Sequence, residues 1–297
     1  MSERGISPAT TTTTAVIDGS EDLAKALAAL DAVPSLSLVS MPALATLCGE
    51  TYNGAIAVIA SYCASRRAFF IIDPPSDWTS VDAVVRGAGA VASIVQENGA
   101  IYWPPLTSGA ASGAVTGVYV ATDTTRGVWK APAGIEAALP GAEPAYLLTN
   151  ADNAILNPLG VNCIRSFPVY GTVVWGARTL SGTSDWRYVS VRRLALFLES
   201  SIIGSLTWTA TERNAEPLWS EIRESVGSFL FDHWRLGAFA GATPAQAFFV
   251  QCDSTTTTQD DIDAGRLNVD VGFAAVRPAE FILLRIGLWA RRPADDD

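Results

Sequence analysis

The chain has 297 residues, a length that suits one large domain or two ordinary ones. Hydrophobic residues make up 49% of it and charged residues only 17%, with nine Trp and eleven Phe. This composition excludes a disordered chain and predicts apolar surface that favours assembly. The net charge of −10 argues against a nucleic-acid partner, because modules that bind polyanions are normally basic.

The N-terminus lacks the apolar segment of a signal peptide, and no run of residues is apolar for the length of a membrane span. We therefore expect a soluble protein that is made in the cytoplasm and does not insert into membranes. The four cysteines have no CxxC spacing and no neighbouring histidine, which predicts reduced, buried, small apolar side chains. They are Cys48, Cys63, Cys163 and Cys252.

The first half of the chain alternates helix and strand patterns. Ser20 and the acids after it predict a helix start, and apolar residues at i, i+4, i+7 and i+11 from Tyr52 predict a buried helix face. Residues 79–96 also have a helical pattern. Strands are predicted at 35–40, 69–72 and 101–103. Strands that alternate with helices in this way predict βαβ units and an open α/β sheet.

The second half of the chain has a different order of predicted strands and helices, which predicts a two-layer α+β unit. Residues 105–158 are rich in Gly, Ala, Pro and Thr and are interpreted as a connection. Helices are predicted at 187–203 and 217–236, the latter with Pro217 in its first turn. Strands are predicted at 161–166, 171–177, 206–212, 246–252, 266–273 and 280–289. The predicted organisation is a short arm at 1–19, an outer α/β domain at 20–158 and a C-terminal domain at 159–297.

One glycine motif suggests a cofactor. Residues Gly87 to Ala92 fit the G-x-G-x-x-A pattern of a dinucleotide-binding loop, in which backbone N–H groups approach a pyrophosphate. The acid that should end the next strand and hold a ribose is absent, so small residues that let a helix pack closely are the preferred interpretation. An α/β cofactor-binding enzyme remains the alternative function.

Other candidate catalytic residues lack the partners that chemistry requires. Asp73 follows a predicted buried strand, where α/β enzymes place catalytic groups, but Asp before Pro is equally a turn starter. His233 is the only histidine, and the sequence has no HExxH, GxSxG or P-loop motif. We therefore predict no enzyme activity and no catalytic, cofactor-binding or metal-binding residue.

Several segments that combine aromatic residues, arginines and glycines carry a family resemblance. Three of them are Arg-Gly-Val-Trp-Lys-Ala-Pro at 126–132, Asn-Pro-Leu-Gly-Val-Asn-Cys-Ile-Arg at 157–165 and Val-Val-Trp-Gly-Ala-Arg-Thr at 173–179. The others lie at 186–194, 217–219, 247–253 and 277–281. In these segments, and in their order over residues 20 to 289, the chain resembles the tail sheath proteins of contractile phages and related contractile injection systems.

The resemblance implies a structural subunit without an active site. Sheath proteins form helical homo-oligomers around an inner tube and contract to drive that tube through a target envelope. The implied partners are other copies of the chain, the inner tube protein, and baseplate and terminal cap proteins. The implied location is the assembled phage tail or injection particle, including particles released from the cell. Sheath proteins usually carry a longer N-terminal portion with a linking arm than the roughly twenty residues that precede the first matching helix here.

Two surfaces are candidates for these contacts. The C-terminal domain of the family faces the tube, so we expect helix 217–236 to present Glu221, Glu224, Asp232 and Arg235 to it. The strand at 280–289 is apolar on both faces and needs a sheet of its own or of a neighbour. Its face with Ile282, Leu284, Ile286 and Leu288 is the candidate linking strand between subunits. We predict that deletion of residues 287–297 leaves a folded subunit that cannot form sheath.

Overall fold

The computed structural model describes residues 14–16, 23–276 and 281–290, of which 14–16 and 281–284 are described by their backbone only. Most of the predicted arm at 1–19 and the charged segment 291–297 lie outside the described residues. The helices are α1 (Leu23–Leu30), α2 (Gly49–Arg66), α3 (Val81–Val95), α4 (Ser112–Arg126), α5 (Asn150–Leu156), α6 (Val189–Ser205), α7 (Glu216–Arg235), α8 (Pro244–Ala247) and α9 (Gln259–Asp263). The strands are β1 (Thr14–Val16), β2 (Leu38–Ser40), β3 (Phe69–Ile72), β4 (Gly99–Trp103), β5 (Val161–Phe167), β6 (Gly171–Val174), β7 (Phe248–Gln251), β8 (Arg266–Ala274) and β9 (Phe281–Trp289).

The described residues pack as two compact units whose boundary lies between Leu196 and Phe197, inside α6. The first unit contains a six-stranded sheet in the order β1 to β6, parallel up to β5 and closed by the antiparallel β6. The predicted domain boundary at 158/159 falls inside this unit, because β5 and β6 extend its sheet. The domain limits 20–158 and 159–297 therefore remain predictions.

The sheet of the first unit is covered by helices on both faces. Every residue of β3 and β4 is buried, as expected for parallel strands between two helical layers. Helices α1, α2 and α3, which connect consecutive parallel strands, pack on one face of the sheet, where α5 joins them. Helices α4 and α6 cover the other face and enclose Tyr102, Tyr119 and Leu196. The α/β architecture predicted for this half is confirmed.

Helix α4 corrects the interpretation of residues 105–158 as a connection. This helix has 15 residues, and the carboxylate of Asp73 holds its first turn by accepting hydrogen bonds from the N–H groups of Ala111 (2.7 Å) and Ser112 (2.9 Å). Four threonine hydroxyls donate to the carbonyl four residues earlier, so their polar groups are satisfied inside the helix. The segment looks like a loop only because its residues are small and polar.

Two further predictions are wrong. The strand predicted at 206–212 is a 3-10 helix at Thr207–Thr211, where the buried Thr209 hydroxyl contacts the carbonyls of Leu206 (2.9 Å) and Trp289 (3.3 Å). Cys48 is exposed, although the other three cysteines are buried as predicted and all four are free thiols. Cys48 immediately precedes α2 and has an extended backbone (φ −150°, ψ 170°), so its side chain does not continue the buried side of the helix.

The second unit contains a three-stranded antiparallel sheet in the order β7–β8–β9. Strand β8 lies in the middle, and its residues Leu267, Val269, Val271 and Phe273 are fully buried on one face. Helix α7 packs beside β7 in the same unit. This mixed fold with a second, antiparallel sheet confirms the predicted fold class.

Candidate assembly surfaces

Helix α7 has a buried side and an exposed side, as its sequence predicts. Its buried residues recur at helical spacing, and the Trp219 indole donates a hydrogen bond to the Asn214 side chain (2.8 Å) just before the helix. Arg223 ties the helix to the end of β7 by donating to the carbonyl of Cys252 and to the Glu216 carboxylate. The buried side consists of Leu218, Trp219, Ile222, Val226, Phe229 and Leu230.

The opposite side of α7 carries all four residues that were predicted to face the tube. Glu221, Glu224, Asp232 and Arg235 are exposed. At 3.6 residues per turn they fall within an arc of about 80° on the helix. Three carboxylates and one guanidinium therefore share one exposed face of net negative charge. What this face contacts stays a prediction.

His233 is a packing residue of α7. Its ring lies 4.4 Å from that of Phe229 and 5.4 Å from that of Phe197, and its Nδ1 is 2.8 Å from the Phe229 carbonyl oxygen. Within the described residues no group of three or more His, Cys, Asp or Glu side chains is placed to hold a metal ion.

Strand β9 is part of this chain's own sheet. It pairs with β8 over nine residues, with Ile286 opposite Val269 and Leu288 opposite Leu267. Ile286 is 3% exposed, so the predicted apolar face of the strand covers the core at that point. Ile282 and Leu284 lie at the register positions of the same face, but their side chains are outside the described residues.

The other edge of β9 has backbone groups that point away from the sheet. The N–H of Asn268 donates to the Thr257 hydroxyl (3.0 Å) on the side of β7, so the backbone polar groups of Asn268 do not face β9. In an antiparallel ladder its partner Gly287 is then also in a position without ladder bonds. The N–H and C=O of Gly287 therefore point outward, and among the described residues β9 pairs with β8 only.

The glycine motif at Gly87 to Ala92 lies inside α3, not at a turn between a strand and a helix. The dinucleotide-loop interpretation is therefore wrong, because a phosphate needs the free N–H groups of a helix start. A Cβ on Gly87 would lie 2.4 Å from the Trp78 indole nitrogen, so this glycine lets α3 approach that ring. The preferred interpretation, close helix packing, fits this contact.

The Asp73 side chain has a structural role. Its side chain is fully buried, one carboxylate oxygen receives the two N–H groups that start α4, and the other oxygen has no hydrogen bond. Burial raises the pKa of this carboxyl above its usual range, and the hydrogen bonds from Ser112 and Ala111 oppose the shift. A carboxylate so enclosed cannot reach a substrate.

No helix among the described residues is long and apolar enough to cross a membrane. Residues 181–288 match the phage tail sheath C-terminal domain family. A chain in the baseplate of the anti-feeding prophage shares 33% identity, with 90% of this chain and 74% of that chain covered and a TM-score of 0.72. This chain belongs to the phage tail sheath family.

Two further members of the sheath family show the same likeness. A chain of the PVC sheath complex, an extracellular contractile injection system in its contracted state, is 35% identical, with 84% of this chain and 70% of that one covered and a TM-score of 0.68. A putative prophage major tail sheath protein of Pseudomonas aeruginosa strain UCBPP-PA14 is 25% identical over 252 residues. This match covers 81% of the present chain and 63% of that relative, so the chain spans less than two thirds of its length. The family resemblance stated from the sequence is confirmed.

Proposed function

We propose that this chain is a structural subunit of a contractile sheath, which polymerises helically around an inner tube and contracts to drive the tube through a target envelope. The observation that supports this most is the likeness, at 35% identity over 84% of the chain, to a chain of the sheath complex of an extracellular contractile injection system. The proposed role is structural and not catalytic. Asp73, the one buried carboxylate at a strand end that was singled out from the sequence, is used to hold α4.

In this proposal the work of contraction comes from a free-energy difference between two packings of the same subunits. The exposed face of α7 contacts the tube through Glu221, Glu224, Asp232 and Arg235. Contacts between exposed charges are weak and screened by salt, which suits an interface that must break when the sheath contracts. Charge reversal at Glu221 and Glu224 is therefore expected to abolish co-assembly with the tube protein, and unchanged co-assembly would remove this role.

Links between subunits run through β9 in the same proposal. Because β9 already pairs with β8, its contribution to a neighbour comes from its outer edge, where the backbone groups of Gly287 point outward. A strand from another copy that pairs with this edge would supply directional hydrogen bonds that persist while the subunits rotate. Further proposed partners are the baseplate and terminal cap proteins, and the proposed location is the assembled tail or injection particle, built in the cytoplasm.

Negative-stain electron microscopy tests the function directly. The full chain, alone and co-expressed with a cognate tube protein, is expected to form hollow striated cylinders or stacked rings. A sample that stays monodisperse under both conditions at high concentration would contradict the proposal.

A further inference from the structure

A groove of about 370 Å³ lies between the second half of α4 and the segment 130–138, within the first unit. We call it the α4 groove. Its apolar lining consists of small side chains, and its charged lining consists of Arg126, Lys130 and Glu136. The small apolar residues are Val118, Ala121, Ala131, Ala133, Ala137 and Ala138. The groove is built by the motif at 126–132, to which the sheath function assigns no role.

The motif folds so that its two cations lie side by side. Gly127 ends α4 with φ +88°, and a Cβ there would lie 2.4 Å from the ring of Trp129. The turn is closed by a hydrogen bond from the Lys130 N–H to the Gly127 carbonyl (3.0 Å). Only glycine combines this backbone conformation with the close ring contact, and the turn brings Lys130 back beside Arg126.

The charges of the α4 groove are unbalanced. Arg126 donates two hydrogen bonds of 3.0 Å to the carboxylate of Glu136, and the Lys130 ammonium lies 3.6 Å from the same carboxylate. All three side chains are between 39% and 59% exposed. Two cations thus share one anion, in a chain of net charge −10 with only two lysines. A second carboxylate that enters the groove would meet an excess of positive charge.

The groove also offers backbone hydrogen bonds. Val174 donates to the carbonyl of Ala137 and Leu139 donates to that of Thr172, so Ala138 faces Val173 at a position without ladder bonds. The N–H and C=O of Ala138 therefore point away from β6. Ala138 lines the groove, so an extended peptide in it can pair with these groups as an added strand.

We propose that the α4 groove binds the acidic segment 293–297 of a second copy of this chain. The segment reads Pro-Ala-Asp-Asp-Asp, so it has no bulky side chain to clash with a lining of alanines and carries three carboxylates for the two cations. A second acidic run, at 260–263, is already engaged. There the Asp261 carboxylate accepts hydrogen bonds from the Thr258 hydroxyl and the Arg266 guanidinium. The Asp263 carboxylate accepts one from the Gln259 side-chain amide.

The inference rests on the proposed function for one condition only, namely that assembly brings a second copy close. A few exposed ion pairs and backbone bonds give an isolated peptide a Kd of about 1 mM. Tethering inside a polymer raises the effective concentration of the segment to the millimolar range, so such a contact would be largely occupied there. It would therefore add to the links made by β9.

The test is fluorescence anisotropy of a labelled peptide with the sequence of residues 293–297. The receptor is the full chain with Asp295→Asn, Asp296→Asn and Asp297→Asn, so that its own segment does not compete. Lys130→Gln is expected to weaken binding about 3-fold, because one ion pair is lost. Glu136→Gln is expected to strengthen binding by a similar factor, because it frees both cations for the peptide. A control peptide with three asparagines should bind at least 10-fold more weakly.

Opposite effects of the two substitutions would support the proposal, since a purely structural groove would not respond in both directions. No saturable binding up to several times the expected Kd, equal binding of the asparagine peptide, or weaker binding to Glu136→Gln would each overturn it. Peptide binding and microscopy measure different properties of the chain. Binding without cylinders would remove only the proposed function, and cylinders without binding would remove only this inference.

Discussion

The outer edge of β9 at Gly287, two residues before the Trp289 carbonyl that Thr209 contacts, allows one substitution to separate linkage between subunits from folding of the subunit. In Gly287→Pro the N–H that points away from β8 is lost, and the proline ring occupies the outer edge. No ladder bond to β8 is removed, and a Cβ at this position would lie 3.8 Å from the nearest atom outside the adjoining residues, the Asn268 side-chain oxygen. We therefore expect the free energy of unfolding of the isolated subunit to change by no more than about 1 kcal/mol.

The effect on assembly should be larger. A strand that pairs with this edge loses one backbone hydrogen bond, worth about 0.5–1.5 kcal/mol, and meets the proline ring. A loss of about 1.4 kcal/mol per subunit raises the critical concentration for assembly about 10-fold. Gly287→Ala keeps the N–H and is the matched control, for which assembly should be unchanged.

Ile286→Pro provides the opposite comparison. Ile286 is opposite Val269 at a position where the two strands exchange hydrogen bonds, and its side chain is 3% exposed. Proline there removes a ladder bond and buried apolar volume, so we expect a loss of at least about 3 kcal/mol in unfolding free energy.

Denaturant unfolding followed by tryptophan fluorescence and sedimentation of assembled sheath against protein concentration measure the two quantities. If Gly287→Pro assembles at the same critical concentration as Gly287→Ala, the edge does not link subunits. If it unfolds as readily as Ile286→Pro, the ladder assignment is wrong. Deletion of 287–297 is less decisive, because it also removes the bond from Ala290 to the Gly265 carbonyl (2.9 Å).

Three further predictions concern buried groups. Iodoacetamide should modify only Cys48 in the native chain, because burial raises the pKa of the other three thiols to about 12. Mass spectrometry should count one adduct in the native chain and four in denaturant. A second adduct in the native chain would contradict this. The pKa of Asp73 is raised in the folded state, so the folded chain holds the proton of this carboxyl more tightly than the unfolded chain does. The free energy of unfolding of the wild type, relative to that of Asp73→Asn, should therefore rise as the pH falls from the raised pKa towards the pKa of Asp73 in the unfolded chain. Parallel unfolding free energies of the two proteins between pH 4 and 7 would refute the assignment. Arg193→Met should lower the free energy of unfolding by about 3–5 kcal/mol. The reason is that Asp123 loses the two hydrogen bonds, of 2.7 and 2.6 Å, that the 4% exposed guanidinium of Arg193 donates. A loss below about 1 kcal/mol in thermal or denaturant unfolding would show that the pair is not buried in solution.

What the sequence predicted correctly depended on local patterns. Helix α7 was found almost to the residue, because its buried stripe and Pro217 are signals contained within the helix. The exposure of Glu221 and Glu224 followed from the same periodicity. The pattern of β9 predicted its apolar face, but not which edge of the strand is free. That edge is defined by a hydrogen bond from Asn268 to Thr257, which no pattern within β9 reveals.

The errors arose where distant residues decide the local structure. Helix α4 is started by the carboxylate of Asp73, 38 residues earlier, so its own sequence lacks a local capping signal. Residues 206–212 alternate like a strand, yet Thr209 is held in a 3-10 turn by a contact with the carbonyl of Trp289, 80 residues later. The α4 groove was missed for a similar reason, because Glu136 meets Arg126 only after the chain turns at Gly127.

The long excursion between β4 and β5 has a consequence for the order of events during synthesis. Residues 104 to 160 separate two neighbouring strands, and closing a loop of that length has an entropic cost that shorter crossovers avoid. Strands β1 to β4 can pair as they leave the ribosome. The outer edge of β4, whose residues are all buried in the finished fold, keeps unpaired backbone N–H and C=O groups until β5 has been made. Until β5 pairs with it, β4 is therefore an edge at which a nascent chain can pair with a strand of another chain.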